Sequence, residues 1–347
     1  MSLLTVRCPH CGTAREVDNK FYRREVRCPR CRQAFSVKSA LSAWSRLEGQ
    51  IVENRYRLGE LIGEGGFALV FRAEEETAGG AMRSVALKLI YPDPEIPREM
   101  QVKELLAVLQ AKHPFIVQGY AAGICDLGGL SWLYLAMELA EETLEMRMKR
   151  GALSVSEVWK FAEHTASALA YLHKDPDRLV HRDLKLANIL RIGQQWKLAD
   201  FGLVYPMERK TNTTSRPVGT EDYIPPEGYD GLVTPAWDIW SFGVMLAQTL
   251  TGKHPFESAH HRYYAITQEE PQLPADLPVP FGEIIRGCLI KKRAMRWTAP
   301  QVLAALQAAR GLRASLSAGR WRVSQNVQQW KQKRTPDERP PQQRRAE

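Results

Sequence analysis

Near Glu141 the hydrophobic period of this chain changes. Before it, RYRLGELIG over 55–63, ALVFRAEE over 68–75, SVALKLI over 84–90 and LSWLYLAMEL over 130–139 carry the strand pattern, in which successive side chains point to opposite faces. A glycine-rich turn and then Gly79-Gly80 separate the first three, which predicts a meander of antiparallel strands. One interruption stands between Arg98 and Lys112, where Val102, Leu105, Leu106 and Leu109 recur at three- and four-residue spacing and predict a helix ending before His113-Pro114. After it, SVSEVWKFAEHTASALAYLHK and TPAWDIWSFGVMLAQTLTG are long helical segments. The expectation is an α+β chain in which a sheet-rich lobe precedes a helix-rich one.

The 347 residues accommodate one large two-lobed domain and a small appendage. A content of 44% hydrophobic and 25% charged residues is that of a globular protein, and no stretch approaches the run of about 18 apolar residues that a membrane span needs. MSLLTVRCPH lacks the apolar core and cleavage site of a secretory signal, so a cytoplasmic location is expected. The net charge of +9 is concentrated at both ends, while the middle is mildly acidic. That placement argues against a protein built along its length to coat nucleic acid. The divisions read as 1–38, a cysteine-punctuated module; 39–54, a linker containing Trp44; 55–310, the main domain; and 311–347, a basic, partly disordered tail.

Of six cysteines, Cys125 and Cys288 stand alone and read as small apolar core residues. The other four form Cys8-Pro-His-Cys11 and Cys28-Pro-Arg-Cys31, two knuckles sixteen residues apart. That spacing suits tetrahedral coordination of structural Zn²⁺ by four thiolates, with no open position for chemistry and with His10 set aside as a ligand. It resembles the short CPxC zinc ribbons at the starts of many bacterial proteins. So small a module cannot bury enough core to fold unaided, and zinc supplies on the order of 10 kcal/mol. Its arginines read first as a solvated or protein-docking surface, and contact with nucleic acid is the less favoured reading. In the tail, Trp321, Val323, Val327 and Trp330 interleave with basic residues, which suits either an amphipathic docking helix or a frayed end.

Within the main domain, Gly63-Glu64-Gly65-Gly66-Phe67-Ala68-Leu69-Val70 lies between two expected strands. Glycine there lets backbone N–H groups approach phosphate oxygens where a side chain would collide, although a plain hairpin turn has the same look. Val85-Ala86-Leu87-Lys88 places a lysine in an apolar strand. If buried, Lys88 needs a carboxylate, for which Glu104 or Glu99 on the following helix is placed; on an edge strand it would point to water.

His181-Arg182-Asp183-Leu184-Lys185-Leu186-Ala187-Asn188 comes next, then Asp200-Phe201-Gly202 after a short hairpin. With these, Tyr56 to Gln307 resembles the eukaryotic-type serine/threonine protein kinases, a two-lobed fold of β-rich N-lobe and helical C-lobe. His113-Pro114, Gly219-Thr220, Pro225-Pro226-Glu227, Asp238 to Gly243 and Arg296 follow in the family's order. The resemblance implies that Asp183 accepts the substrate hydroxyl proton, that Lys185 neutralises the migrating phosphoryl group, and that Asn188 and Asp200 hold Mg²⁺ or Mn²⁺. It implies that ATP lies with its phosphates against Gly63, Gly65, Gly66 and Lys88, the last held by Glu104. The adenine is then expected against Ile62, Val70 and Ala86, with hinge backbone contacts from Glu138 and Ala140 and with Met137 behind. Asp238, Glu227 and Arg296 are implied as structural braces.

Lys185 in this motif points to serine or threonine as acceptor, in protein substrates. Arg182 implies control by autophosphorylation among Thr211, Thr213, Thr214 and Ser215, with Thr214 favoured. Three positions depart from the pattern: Ala68 for the third loop glycine, Pro225 before Pro-Glu, and the acidic Glu221-Asp222, which is either a draw for basic substrates or plain surface acid. The rival readings are a pseudokinase scaffold and a nucleic-acid-binding regulator acting through the ribbon. The sequence signs of a pseudokinase, loss of Asp183, Lys88 or Asp200, are absent.

Overall fold

A computed structural model describes residues 3–7, 14–18, 21, 24–37, 47–64, 68–77, 79–90, 98–128, 130–174, 179–200, 221–257 and 262–311. Four short strands come first: β1 (Leu3–Arg7), β2 (Ala14–Asp18), β3 (Glu25–Arg27) and β4 (Ala34–Ser36), paired as two antiparallel hairpins. Then β5 (Ile51–Val52), β6 (Tyr56–Glu64), β7 (Ala68–Glu76), β8 (Met82–Ile90), β9 (Gly119–Leu127) and β10 (Leu130–Glu138) form a six-stranded sheet in the order β5-β6-β7-β8-β10-β9. The meander expected from the alternating pattern is present. Its edge strand β5 lies in the stretch 39–54 that reads as a linker, where two residues are too few for a period to show.

The sheet's two faces do different work. In β8, Val85, Leu87 and Leu89 fall on one face and Ala86 and Lys88 on the other; in β10, Trp132, Tyr134 and Ala136 oppose Leu135 and Met137. Ala86, Leu135 and Met137 belong to the apolar cluster that continues into the helical lobe. Val85, Leu87, Phe71, Trp132 and Ala136 belong to a second cluster, which also takes in Val6, Val17 and Phe35 of the first four strands, Val37 just after β4, and Leu47. The N-terminal strands therefore share a core with the back of the sheet. Leu47 lies so close to Gly128 that a Cβ there would come within 2.9 Å of its side chain.

Helix α1 (Arg98–Gln110) follows β8, as the three- and four-residue spacing predicts. After β10 come β11 (Glu142–Thr143), α2 (Leu144–Lys149) and α3 (Val155–Leu172). Ser154 starts α3 with a capping box: Glu157 N–H donates to Ser154 Oγ at 3.2 Å, and Ser154 N–H donates back to Glu157 Oε2 at 2.9 Å. Strands β12 (Ile189–Ile192) and β13 (Gln195–Leu198) pair antiparallel and carry the chain from one set of motif residues to the next. Helix α4 (Pro235–Thr251) begins with proline in its first turn and ends at Gly252, which sits at φ 71 where an L side chain would be strained. It is buried nearly throughout and packs on α6 (Phe281–Cys288), with α5 (Arg262–Gln268) between them in sequence and residues 299–311 helical at the end. A Cβ at Gly243 would stand 2.6 Å from Cys288 Cβ, so glycine sets how closely α4 and α6 approach.

Candidate active site

The first turn of α4 carries Asp238, fully buried, and it organises the segment 181–188. Its Oδ2 accepts the His181 N–H at 2.9 Å and its Oδ1 accepts the Arg182 N–H at 2.9 Å. His173 Nε2, at the end of α3, lies 2.8 Å from the same Oδ2. Arg182 is held at φ 67, a left-handed conformation that a non-glycine residue keeps only where its surroundings impose it. The next residue, Asp183, is thereby presented with Lys185 Nζ at 2.7 Å from its Oδ2. Asn188 Nδ2 donates to the Asp183 carbonyl at 2.7 Å and reaches Oδ2 at 3.1 Å. Lys185 and Asn188 thus converge on the Asp183 carboxylate.

The hairpin β12–β13 returns the chain to this point. Ala199 N–H donates to Asn188 O and Ala199 O meets His181 Nε2, at 2.9 and 2.8 Å. Asp200 follows at φ 69 and accepts a hydrogen bond from Lys88 Nζ on β8. Burial alone would raise the Asp200 carboxyl, but Lys88 above all, with His181 and Lys185, holds it below the usual carboxylate range. About a third of the side chain, 35%, stays exposed, so the carboxylate is both ionised and reachable.

The sheet supplies the opposite wall. Ala86 is buried, Val70 is half-buried against the same cluster, and Met137 is buried at the end of β10. Ile62 is exposed on β6, with Gly63 beside Val70. Glu138 N–H donates to Gln118 O at 3.0 Å, so any contact it makes with a base must use its carbonyl; Ala140 follows in the half-buried connection. Gly65, Gly66, Phe201, Gly202, Thr211, Thr213, Thr214, Ser215, Gly219 and Thr220 lie outside the described residues, as does the side chain of Glu104. Glu99 is exposed in the first turn of α1.

Beyond the cleft, Arg296 and Glu227 form the expected pair, doubly bonded at 2.6 and 2.9 Å, and the guanidinium also reaches the carbonyls of Ile290, Ala236 and Lys291. Asp222 meets Arg262 Nε at 3.0 Å, so its charge is answered from within the chain. Sequence reasoning missed the Lys88–Asp200 bond and the part of His173, because neither pair has a spacing that marks it.

Each pair of ribbon cysteines lies in sequence between two paired strands. Cys8 and Cys11 lie between β1 and β2, outside the described residues, and Cys28 and Cys31 lie between β3 and β4. Cys28 N–H donates to Gln33 O and Arg32 N–H to Cys28 O, both at 2.9 Å, with Arg32 at φ 59. This folds the 28–33 segment into a tight knuckle with Cys28 buried and Cys31 half-buried. Residues 312–347, including Trp321, Val323, Val327 and Trp330, lie outside the described residues. Among the described residues no helix is long and apolar enough to cross a membrane.

Residues 56–306 match the protein kinase domain family, and the chain belongs to it. Among its relatives, the serine/threonine-protein kinase PknA of Mycobacterium tuberculosis H37Rv is 34% identical over 264 residues, 72% of this chain and 59% of that one. A probable serine/threonine-protein kinase of Clostridium acetobutylicum is 31% identical over 265 residues, 72% of this chain and 39% of the other. The serine/threonine-protein kinase PLK4 of Drosophila persimilis is 31% identical over 270 residues, 75% and 34%. The chain thus spans between about a third and three fifths of the length of these relatives.

Proposed function

We propose that this chain is a protein serine/threonine kinase that transfers the γ-phosphoryl group of ATP, with Mg²⁺, to hydroxyls of protein substrates. The observation that carries the reading is the convergence of Lys185 and Asn188 on the Asp183 carboxylate, with Asp200 joined to Lys88. Asp183 orients the acceptor hydroxyl and takes its proton, which needs a carboxylate within hydrogen-bond reach. Lys185, already 2.7 Å from Asp183, is placed to offset charge on the moving phosphoryl group. Asn188 and Asp200 offer the oxygen donors Mg²⁺ prefers, and Lys88 with the Gly63–Gly66 loop takes the phosphates. Bound Mg²⁺ would supply positive charge against that of the phosphates. Ile62, Val70 and Ala86 take the adenine, Glu138 and Ala140 offer hinge contacts, and Glu104 steadies Lys88. Autophosphorylation within 211–215 sets activity.

For the N-terminus we infer a structural zinc site of Cys8, Cys11, Cys28 and Cys31. Its support is the place of each pair in sequence between two antiparallel strands, and the knuckle about Cys28. The paired cysteines suit a reducing, cytoplasmic setting.

The test is transfer of labelled phosphate from ATP to a basic protein in the presence of Mg²⁺, beside Asp183→Asn and Lys88→Met. Wild type should label the protein and both variants should lose at least about a hundredfold. Equal labelling by wild type and Asp183→Asn would end the assignment.

A further inference from the structure

The hinge and the strand that leads to Asp200 are joined by an ion pair that the catalytic roles leave unused. Lys197 Nζ lies 2.7 Å from Glu138 Oε1 and 2.9 Å from Oε2. Oε2 also accepts the Gln118 N–H at 2.8 Å. The two side chains are only 11% and 19% exposed, so solvent screens the pair less than it would at the surface. With both oxygens occupied and a backbone donor on one, the carboxylate is satisfied, the condition under which a shielded pair fixes geometry.

The stretch 115–118 is the spine of this junction. Leu198 N–H donates to Phe115 O and Val117 N–H donates to Leu198 O, both at 2.9 Å, which lays the end of β13 alongside it. Gln118 then binds Glu138 through both its N–H and its carbonyl. Leu198 and Glu138 are thus fastened to one short run of backbone, and the Lys197 side chain closes the triangle. Two residues past Leu198 stands Asp200; two residues past Glu138 stands Ala140. The junction therefore ties the end of the site that meets the base to the end that meets the phosphates.

We propose that Lys197 and Glu138, through this ion pair, are positioning residues that hold the hinge and Asp200 at a set separation, so that a nucleotide is gripped at both ends together. The proposal rests on the nucleotide site assigned above. A ligand held at one end gains little from a fixed separation, whereas one held at both ends gains the alignment that the clamp supplies in advance.

The test compares adenosine with Mg²⁺–ATP on the full chain by titration calorimetry, together with the KM for ATP and kcat. Lys197→Met should weaken Mg²⁺–ATP and raise its KM by about tenfold, the scale of one shielded charge-assisted bond. Adenosine affinity should stay within about twofold and kcat within about threefold, and Lys197→Arg should restore most of the loss. Lys197→Gln, which is uncharged and shorter, serves if Lys197→Met does not fold; it should show the same selective loss. Parallel weakening of both ligands, weakening of neither, or a rise in kcat at unchanged KM would each overturn the clamp. A wild-type chain that binds no ATP would instead remove the nucleotide site, and the clamp with it.

Discussion

Replacing Asp238 by asparagine keeps the shape of the side chain and removes half of what it does. The carboxylate answers three donors with two oxygens: His181 N–H and His173 Nε2 on Oδ2, Arg182 N–H on Oδ1. An amide has one acceptor oxygen. In its better orientation that oxygen faces His181 and His173, and the amide nitrogen then opposes the Arg182 N–H, donor against donor. One charge-assisted bond worth about 1.5–3 kcal/mol is lost, and a buried donor left unsatisfied costs about 1–3 kcal/mol more. For a domain of this size each kcal/mol moves the unfolding midpoint by about 2–4 °C, so Asp238→Asn should melt about 10 °C lower in calorimetry of the full chain. Arg182 is already held in a left-handed conformation. Freed from Oδ1, it relaxes and carries Asp183 with it, and misplacement by about 1 Å costs on the order of a hundredfold in turnover. Binding of ATP should change little, since Lys88 and the hinge lie on other elements. A variant that melts within about 2 °C of wild type and turns over normally would show that the carboxylate does not brace the loop.

His164 stacks on Phe115 with ring centres 4.0 Å apart and accepts the Trp196 N–H at 3.1 Å, and burial, with a lesser contribution from Lys160, pushes its pKa down to about 4. The unfolded chain protonates this imidazole near 6.5, so between about pH 6.5 and 4 unfolding takes up a proton and stability falls as pH falls. His164→Gln should flatten that part of the stability curve measured by denaturant titration; an unchanged slope would remove His164 as its source. Chelation of zinc should lower the main thermal transition of the whole chain by about 4–8 °C, as the ribbon's apolar side chains leave the shared cluster and about 2 kcal/mol of burial is lost. A small separate ribbon transition with the main one unmoved would refute that coupling.

The two lobes were legible because their periods differ over long stretches: α3 and α4 run for 18 and 17 residues, and β6, β7, β8 and β10 for nine each, whereas β9, GYAAGICDL, lacks a clean alternation and was not legible as a strand. The strand β5, two residues long, left no period to detect. Asp183, Lys185 and Asn188 were legible because they sit within six residues of one another on one turn of chain. The partnership of Lys197 with Glu138 was not, because it joins side chains 59 positions apart whose types are common on any surface. The same is true of the bond from Lys88 to Asp200, 112 positions on. Pairs set only by tertiary approach have no local pattern to betray them.

Because Val6, Val17, Phe35 and Val37 lie in one core with Phe71, Val85 and Leu87, the N-terminal strands act as a lid on greasy cloth rather than as a tag on a string. A shortened polypeptide starting at Tyr56, the place where the family match begins, would uncover those side chains to water. Such a fragment should clump or need detergent, even though every residue the chemistry calls for is still in it.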